Sequence, residues 1–477
     1  MRFPLLFLIL ALVACSSRHE ETVAVAVLDS DRGAVQAIRA ATVEGLVGFD
    51  AEGRVIPALA DRWIVTDDGQ SYIFRLRGGT WADGSELTGE TARAALRQAL
   101  GALRGTPLAQ DLAAIDEIRA MAGRVVEIRL SRPMPDFLQL LAQPELSLAH
   151  RGMGTGPMAL RREGAVRVLT PIAPDKRGLP AVKDWASRAR ALHLSAGSAR
   201  QAIDAFERDE VAVVLGGTFN HWPALADARL PSAAIRLDPV TGLFGLAVVH
   251  EDGFLAAAEN REAVAMAIDR QALAQALQAP GWTGTTRIVS PGTEGDAGLV
   301  AERWTAMTPA QRQALAASRV ARWRSGGRDR GEVVLRIAMP GGLGADVVFA
   351  RLSADLTAAG FKVVRTAGTA PADLRLVDGA ARYSGAGWFF TQLGCAARPT
   401  VCSPAADTAY AAAAALSDPV ARGRQLAQAE AQLLAANTFI PFGPPLRWSL
   451  AAPGTAGFFP NRWGVHPLLD LALRPGK

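Results

Sequence analysis

The side chains that could do chemistry in this 477-residue chain are few and far apart. Its 6 histidines, His19, His150, His193, His221, His250 and His466, stand singly, and no H-E-x-x-H run sets two of them with a glutamate on one helical face around zinc. No G-x-S-x-G elbow presents a serine, so hydrolysis would need a serine, a histidine and a carboxylate gathered from distant parts of the chain. Two glycine-rich turns invite a phosphate reading. Gly152-Met153-Gly154-Thr155-Gly156-Pro157 lacks the following Lys-Ser/Thr of a P-loop, and Gly341-Gly342-Leu343-Gly344 lacks the third glycine of the dinucleotide fingerprint. Both read better as tight backbone paths. The expectation is a binding protein with no cofactor and no metal.

The 3 cysteines carry a different message. Met1-Arg2 gives a positive start, Phe3 to Val13 is apolar, and Leu12-Val13-Ala14-Cys15 fits the box cleaved by the lipoprotein signal peptidase. At about 1.5 Å per helical residue the apolar run is too short for the ~30 Å hydrocarbon layer. Residues 1–14 are therefore expected to be an export signal, with Cys15 becoming the lipid-modified first residue, its acyl chains contributing about 0.8 kcal/mol per buried CH₂. The alternative is an ordinary secretory signal with an incidental cysteine. Cys395 and Cys402 then close the short loop GCAARPTVC, as a disulfide worth about 2–3 kcal/mol in an oxidising compartment or as two free thiols. No histidine or second cysteine pair supports a metal there.

Composition agrees with a large exported globule. With 49% hydrophobic and 20% charged residues, the chain can bury more than one core, and disorder is excluded. The net charge of +5 is spread as single arginines; the short cluster Arg322 to Arg330 reads as a solvated linker, not a nucleic-acid surface. After the leader no apolar run reaches transmembrane length.

The elements that must position any site begin between Glu44 and Leu96. Ala51-Glu52-Gly53 and Asp67-Asp68-Gly69-Gln70 are turns between apolar strands, the second leading into alternating Tyr72, Phe74 and Leu76. Trp81-Ala82-Asp83-Gly84 turns again, and Thr88 offers an N-cap with Glu90 in the first turn of a helix through Leu96 and Leu100. Arg124 to Leu130 alternates as a strand, and Phe137, Leu138 and Leu141 mark an apolar helix. Ala199 to Gly216 is a helix and then the strand Val211 to Leu215; Leu243 to Val249 is another strand. Asn260 is read as the N-cap of a helix on which Val264, Ala267, Ile268 and Leu277 repeat. A short helix should start near Thr308. Val333 to Ala338, a helix ending at Gly360, and Phe361 to Val364 make a βαβ unit.

The order of these pieces resembles the family 5 bacterial solute-binding proteins, the dipeptide-, oligopeptide- and nickel-binding receptors of ABC importers. The resemblance rests on Glu44-Gly45-Leu46, Pro57-Ala58-Leu59-Ala60, Trp63, Asp67-Asp68-Gly69, Tyr72, Phe74, Leu76-Arg77 and Trp81 through Glu90. Further on it takes in Gly154-Thr155-Gly156-Pro157, Ala267-Ile268-Asp269-Arg270, Ile440-Pro441-Phe442-Gly443 and Gly457-Phe458-Phe459-Pro460-Asn461, and so covers nearly the whole mature chain. It implies an α/β, two-lobed, periplasmic-binding-protein-like class II fold with an extra subdomain in the first lobe. Lobe I would comprise 15–42, 157–245 and 443–477, the inserted subdomain 43–156, and lobe II 246–442. It also implies a periplasmic, membrane-anchored lipoprotein, acting as a monomer, that captures a peptide-like or other small polar solute and delivers it to ABC permease subunits. A sensing or structural lipoprotein on the same fold, and a hydrolytic enzyme, are the alternatives.

The resemblance also points to site residues. Peptide-binding members set an aspartate, before a tyrosine in lobe II, against the peptide ammonium; here Arg382 stands at that place, before Tyr383. An arginine there would favour a carboxylate or phosphate through charge-assisted pairing. In the other register Asp378 keeps the old role, or Arg382 points into solvent. Tyr383, Trp388 and Phe389 are candidate apolar walls, although a Trp-Phe-Phe run also suits a core. Asp29 falls where the early ligand-facing loop begins, without the L-D-P continuation of the family.

Overall fold

The computed structural model describes residues 22–28, 30–327, 330–397 and 401–474; the leader, Cys15 and Asp29 lie outside the described residues. A seven-stranded sheet runs in the order Ile235–Leu237, Arg447–Ala451, Val213–Thr218, Thr22–Leu28, Ala191–Gly197, Val166–Pro171, Met158–Glu163. Thr22–Leu28 is parallel to both neighbours and is covered on both faces, which is why its sequence is a near-continuous run of Val, Ala and Leu. Val23, Val25 and Val27 pack with Ala34, Ala41 and Leu468 on one side. Ala26 and Leu28 join Ile203 and Phe206 of the helix Ala199–Glu207 on the other, a helix started by a capping box between Ser198 and Gln201.

The second sheet has five strands in the order Lys362–Ala367, Val334–Met339, Leu374–Ala380, Gly242–Val248, Phe439–Gly443. The expected βαβ unit is present, with Val334–Met339 and Lys362–Ala367 parallel across the helix Leu343–Ala358. The chain passes between the two sheets twice, through 238–241 and back through 444–446, so the lobes are joined by two short crossings. The third unit is an antiparallel sheet, Ala60–Val65, Ser71–Leu76, Val125–Leu130, Ile115–Met121, with the helix Gly89–Ala102 on it. Tyr72, Phe74 and Leu76 turn inward while Arg75 is exposed, as period-two alternation requires.

Local chemistry settles the helix starts. Thr88 caps Gly89–Ala102 and Thr308 caps Pro309–Ser325, each through a capping box, and the latter helix is 17 residues long where the sequence suggested a short one. The reading of Asn260 as an N-cap is corrected: that helix starts at Ala258 after Ala257, and Asn260 sits inside its first turn. The apolar repeat that seemed to run on to Leu277 is broken at Ile268, because the Asp269 carboxylate accepts from the Gln271 and Ala272 backbone N–H groups and starts a second helix, Arg270–Leu277.

Candidate functional site

Several of the motifs that carry the resemblance are joints between the units, and one holds lobe II together internally. Glu44 accepts from Arg77 on one carboxylate oxygen and from Arg177 Nη2 on the other at 2.9 Å, and Thr155 Oγ1 lies 3.3 Å from it. Arg77 also donates to the carbonyls of Arg177 and Ala58. The inserted unit is thus riveted to lobe I by a buried carboxylate between two guanidiniums. At the far end of the chain, Asn461 donates to the Ala51 carbonyl and Trp463 Nε1 to that of Gly53 at 2.7 Å, holding the first turn of the inserted unit. Arg270 is buried and gives its hydrogens to the carbonyls of Thr285, Pro441, Ala265 and Ile268; burial lowers its pKa to about 9.

Both glycine-rich turns are contact points. A Cβ on Gly156 would come within 2.2 Å of the Thr42 carbonyl carbon, and one on Gly344 within 2.1 Å of the Phe219 carbonyl oxygen. The latter contact brings the lobes together. Asn220 of lobe I donates from Nδ2 to the Gly341 carbonyl at 2.8 Å and accepts at Oδ1 from Ala345 N at 3.0 Å, while its carbonyl accepts from Gly344 N. The N-terminus of Leu343–Ala358 is therefore filled by protein, which leaves no room there for a phosphate.

Close to the second crossing, Arg447 Nη1 donates to both oxygens of Asp378, at 2.8 and 3.1 Å. Burial pushes the Asp378 carboxyl up, against the pull of Arg447. Asp378 is thereby committed to an interlobe strut.

The stretch that follows Asp378 meets the inserted unit. Ser384 N donates to Gln139 Oε1 at 2.7 Å, Gln143 Nε2 donates to the Arg382 carbonyl at 2.8 Å, and Arg382 reaches Gln143 Oε1 at 3.0 Å and Glu145 Oε1 at 2.8 Å. The Ser384 hydroxyl lies between two carboxylates, 3.0 Å from Asp136 Oδ1 and 3.1 Å from Glu294 Oε2. Burial, reinforced by Glu294, raises the Asp136 carboxyl. Beside this seam is a cavity of about 610 Å³ whose lining includes Asp136, Glu294, Tyr383, Tyr410, Arg132 and Arg422. Arg132 stands 6.0 Å from the Tyr410 ring centroid. Such a volume suits a small solute, with tyrosine rings for apolar area and charges of both signs at its wall.

Of the residues singled out in the sequence, Tyr383 lines this cavity and burial raises its hydroxyl well above the ordinary range. Arg382 lies beside it on the seam, with a side chain 36% exposed. Trp388 and Phe389 are 4% and 0% exposed, edge to face with each other in the apolar cluster that joins the inserted unit to lobe II. Cys395 and Cys402 form a disulfide. Sequence reasoning missed Asp136, Gln139, Gln143, Glu145 and Asn220. A signal for two of them was present: Gln139 and Gln143 are the polar pair one turn apart in the apolar run Phe137 to Gln143.

A serine, a histidine and an aspartate do meet, but not as a catalytic triad. Ser449 Oγ and Asp238 Oδ2 both lie on His466 Nε2, at 3.5 and 3.2 Å, and Asn461 Nδ2 lies 3.5 Å from Nδ1. A triad needs serine and carboxylate on opposite ring nitrogens. Ser449 is also 1% exposed, so no substrate reaches it. Among the described residues no group of three or more His, Cys, Asp or Glu could hold a metal ion, and no helix is long and apolar enough to cross a membrane.

Two α/β lobes, two crossings and a third unit closing over the seam define the class of two-lobed solute receptors. The chain belongs to the bacterial extracellular solute-binding proteins, family 5, whose middle region matches residues 54–391. Over 121 residues it is 36% identical to the probable deoxycholate-binding periplasmic protein YgiS of Escherichia coli, a stretch covering 22% of this chain and 23% of that protein. The chain thus spans about a quarter of the length of the curated relatives it matches. Likeness of fold is far broader. The murein tripeptide binding protein MppA of Escherichia coli superposes with a TM-score of 0.79 at 17% identity, covering 95% of this chain and 98% of that one. OppA of Haemophilus influenzae, solved in complex with RPPGFSPFR, gives 0.78 at 15% identity with the same coverage.

Proposed function

We propose that this chain is the extracytoplasmic receptor of an ABC-type importer, capturing a small polar or peptide-like solute between its units and presenting the closed form to a membrane permease. The observation that carries this is the seam between the inserted unit and lobe II: hydrogen bonds and an ion pair join these two units beside a cavity of about 610 Å³ walled by Tyr383, Tyr410 and charges of both signs, while Arg447 and Asp378 tie lobe II to lobe I. A solute held there touches more than one unit at once, and it stabilises closure because only the closed form supplies all its contacts. The receptor needs no covalent step, and the Ser449, His466 and Asp238 cluster offers none. The matches to a murein tripeptide binder and a probable deoxycholate binder support a solute with apolar area and a charged end. Cys15 is assigned the lipid that tethers the receptor at the periplasmic side of a membrane, which fits the leader before it.

Native mass spectrometry of the mature chain, purified without denaturation, tests this reading. A small solute at near-stoichiometric amount is expected, and it should raise Tm when added back. An empty protein that no peptide, bile acid or small anion stabilises would overturn it. Cys15→Ala should release the protein from the membrane fraction.

A further inference from the structure

The stretch 382–384 faces the inserted unit, and most of the polar atoms of that contact are paired within the protein. Gln139 and Gln143 stand one helical turn apart, and each uses both ends of its amide. Gln139 accepts from Ser384 N at 2.7 Å and donates to Ser384 Oγ at 3.1 Å; Gln143 donates to the Arg382 carbonyl at 2.8 Å and accepts from Arg382 Nη1 at 3.0 Å. One donor and one acceptor per amide let each glutamine hold one residue of the bend 382–384 through a backbone atom and a side-chain atom together. Glu145 completes the contact at 2.8 Å from Arg382 Nη2. Gln143 is 2% exposed, so these amide bonds are shielded from water. A second contact between the same two units, Gln392 Nε2 to Asp111 Oδ2 at 3.0 Å, lies beside it.

The geometry points to a closure latch: Gln139, Gln143 and Glu145 of the inserted unit grip 382–384 of the second lobe, and Arg382 is a positioning residue that sets the balance between open and closed receptor. It does not read the charge of the solute. Its own charge is already met by Glu145, so an anionic solute would have to compete with a carboxylate fixed 2.8 Å away. The inference rests on the receptor reading above. Its consequence is quantitative. Apparent affinity scales with the fraction of receptor that is closing-competent, so loss of the latch weakens every solute by one common factor, about 5- to 30-fold for two lost hydrogen bonds.

The test compares Arg382→Ala and Glu145→Gln in the mature chain with Cys15 replaced, and needs no solute for its first reading. Distances between spin labels on the inserted unit and on the helix Pro419–Ala436 report closure directly. The latch requires both variants to shift the solute-free protein toward longer distances, and the double variant to add little to either. Unchanged distances in both overturn it, whatever becomes of the receptor reading. The second reading is binding of trialanine, deoxycholate and inorganic phosphate. Equal weakening of each solute that the wild type binds is expected in both variants. A phosphate affinity that rises in Glu145→Gln and falls in Arg382→Ala alone would instead make Arg382 an anion contact and overturn the latch. Arg382 is 36% and Glu145 18% exposed, so a circular-dichroism melt is run on each variant to confirm that it is folded.

Discussion

Glu44 and Arg77 stand 33 residues apart in sequence and form a buried ion pair that Arg177 completes from lobe I. All three side chains are at most 13% exposed, so removing the carboxylate charge leaves two guanidiniums in low dielectric with no counter-charge. Breaking such a pair from one side costs about 3–5 kcal/mol. Glu44→Gln is therefore expected to lower the unfolding free energy by that amount in a urea melt, and to loosen the inserted unit first, seen as faster hydrogen exchange in Ser71–Leu76 and Val125–Leu130.

Asn220 should matter to closure more than to folding. It supplies an acceptor to Ala345 N and a donor to the Gly341 carbonyl across the seam between the lobes. Asn220→Ala leaves the start of Leu343–Ala358 uncapped, at about 1 kcal/mol. Since the cap comes from the other lobe, the loss falls on the closed form. The expected signature is a lower Tm increment from bound solute, with the solute-free Tm changed far less.

How much of this was legible in the sequence depends on whether a feature is local. Thr88, Thr308 and the alternation at Tyr72, Phe74 and Leu76 are written in neighbouring residues, and they were read correctly. Asn260 misleads because a good capping residue sits in the first turn of a helix that starts at Ala258, and only Asp269 reveals where the repeat breaks. The two-lobed fold was legible through ordered motifs, yet the reason for those motifs was not: Glu44 with Arg77 and Arg177, or Trp463 with Gly53, are pairings across 33 to 410 positions. The same holds for the seam. Nothing near Arg382 announces that Glu145 will neutralise it.

The disulfide between Cys395 and Cys402 closes a short loop immediately before Ser403, whose side chain accepts from Ala406 N and caps the helix Pro404–Ala414. Chain-entropy arguments give a loop of this length about 2–3 kcal/mol. Replacing both cysteines by serine is expected to lower stability by that amount in a urea melt, and dithiothreitol should do the same to the wild type. Full resistance of the wild-type Tm to reductant would count against a stabilising role.

Asp111 gives the molecule a pH dependence of definite sign. It is 2% exposed at the contact between the inserted unit and lobe II, and burial raises its carboxyl to about 7, against the pull of the Gln392 hydrogen bond and the Arg382 charge. Gln392, Arg382 and Tyr383 are the groups that meet it from lobe II. In the unfolded chain, or wherever the contact opens to water, the same group titrates near 4. The native state therefore holds a proton that the unfolded state releases, so the stabilising contribution is complete below about pH 4 and is lost as pH rises through about 7. Raising pH from 5 to 8 should lower wild-type stability by on the order of 2 kcal/mol through this group. Asp111→Asn keeps the shape and removes the titration, so it should flatten the profile and melt above wild type at pH 8. Melts of both proteins at pH 5 and pH 8 decide it: equal slopes would show that Asp111 does not carry the dependence.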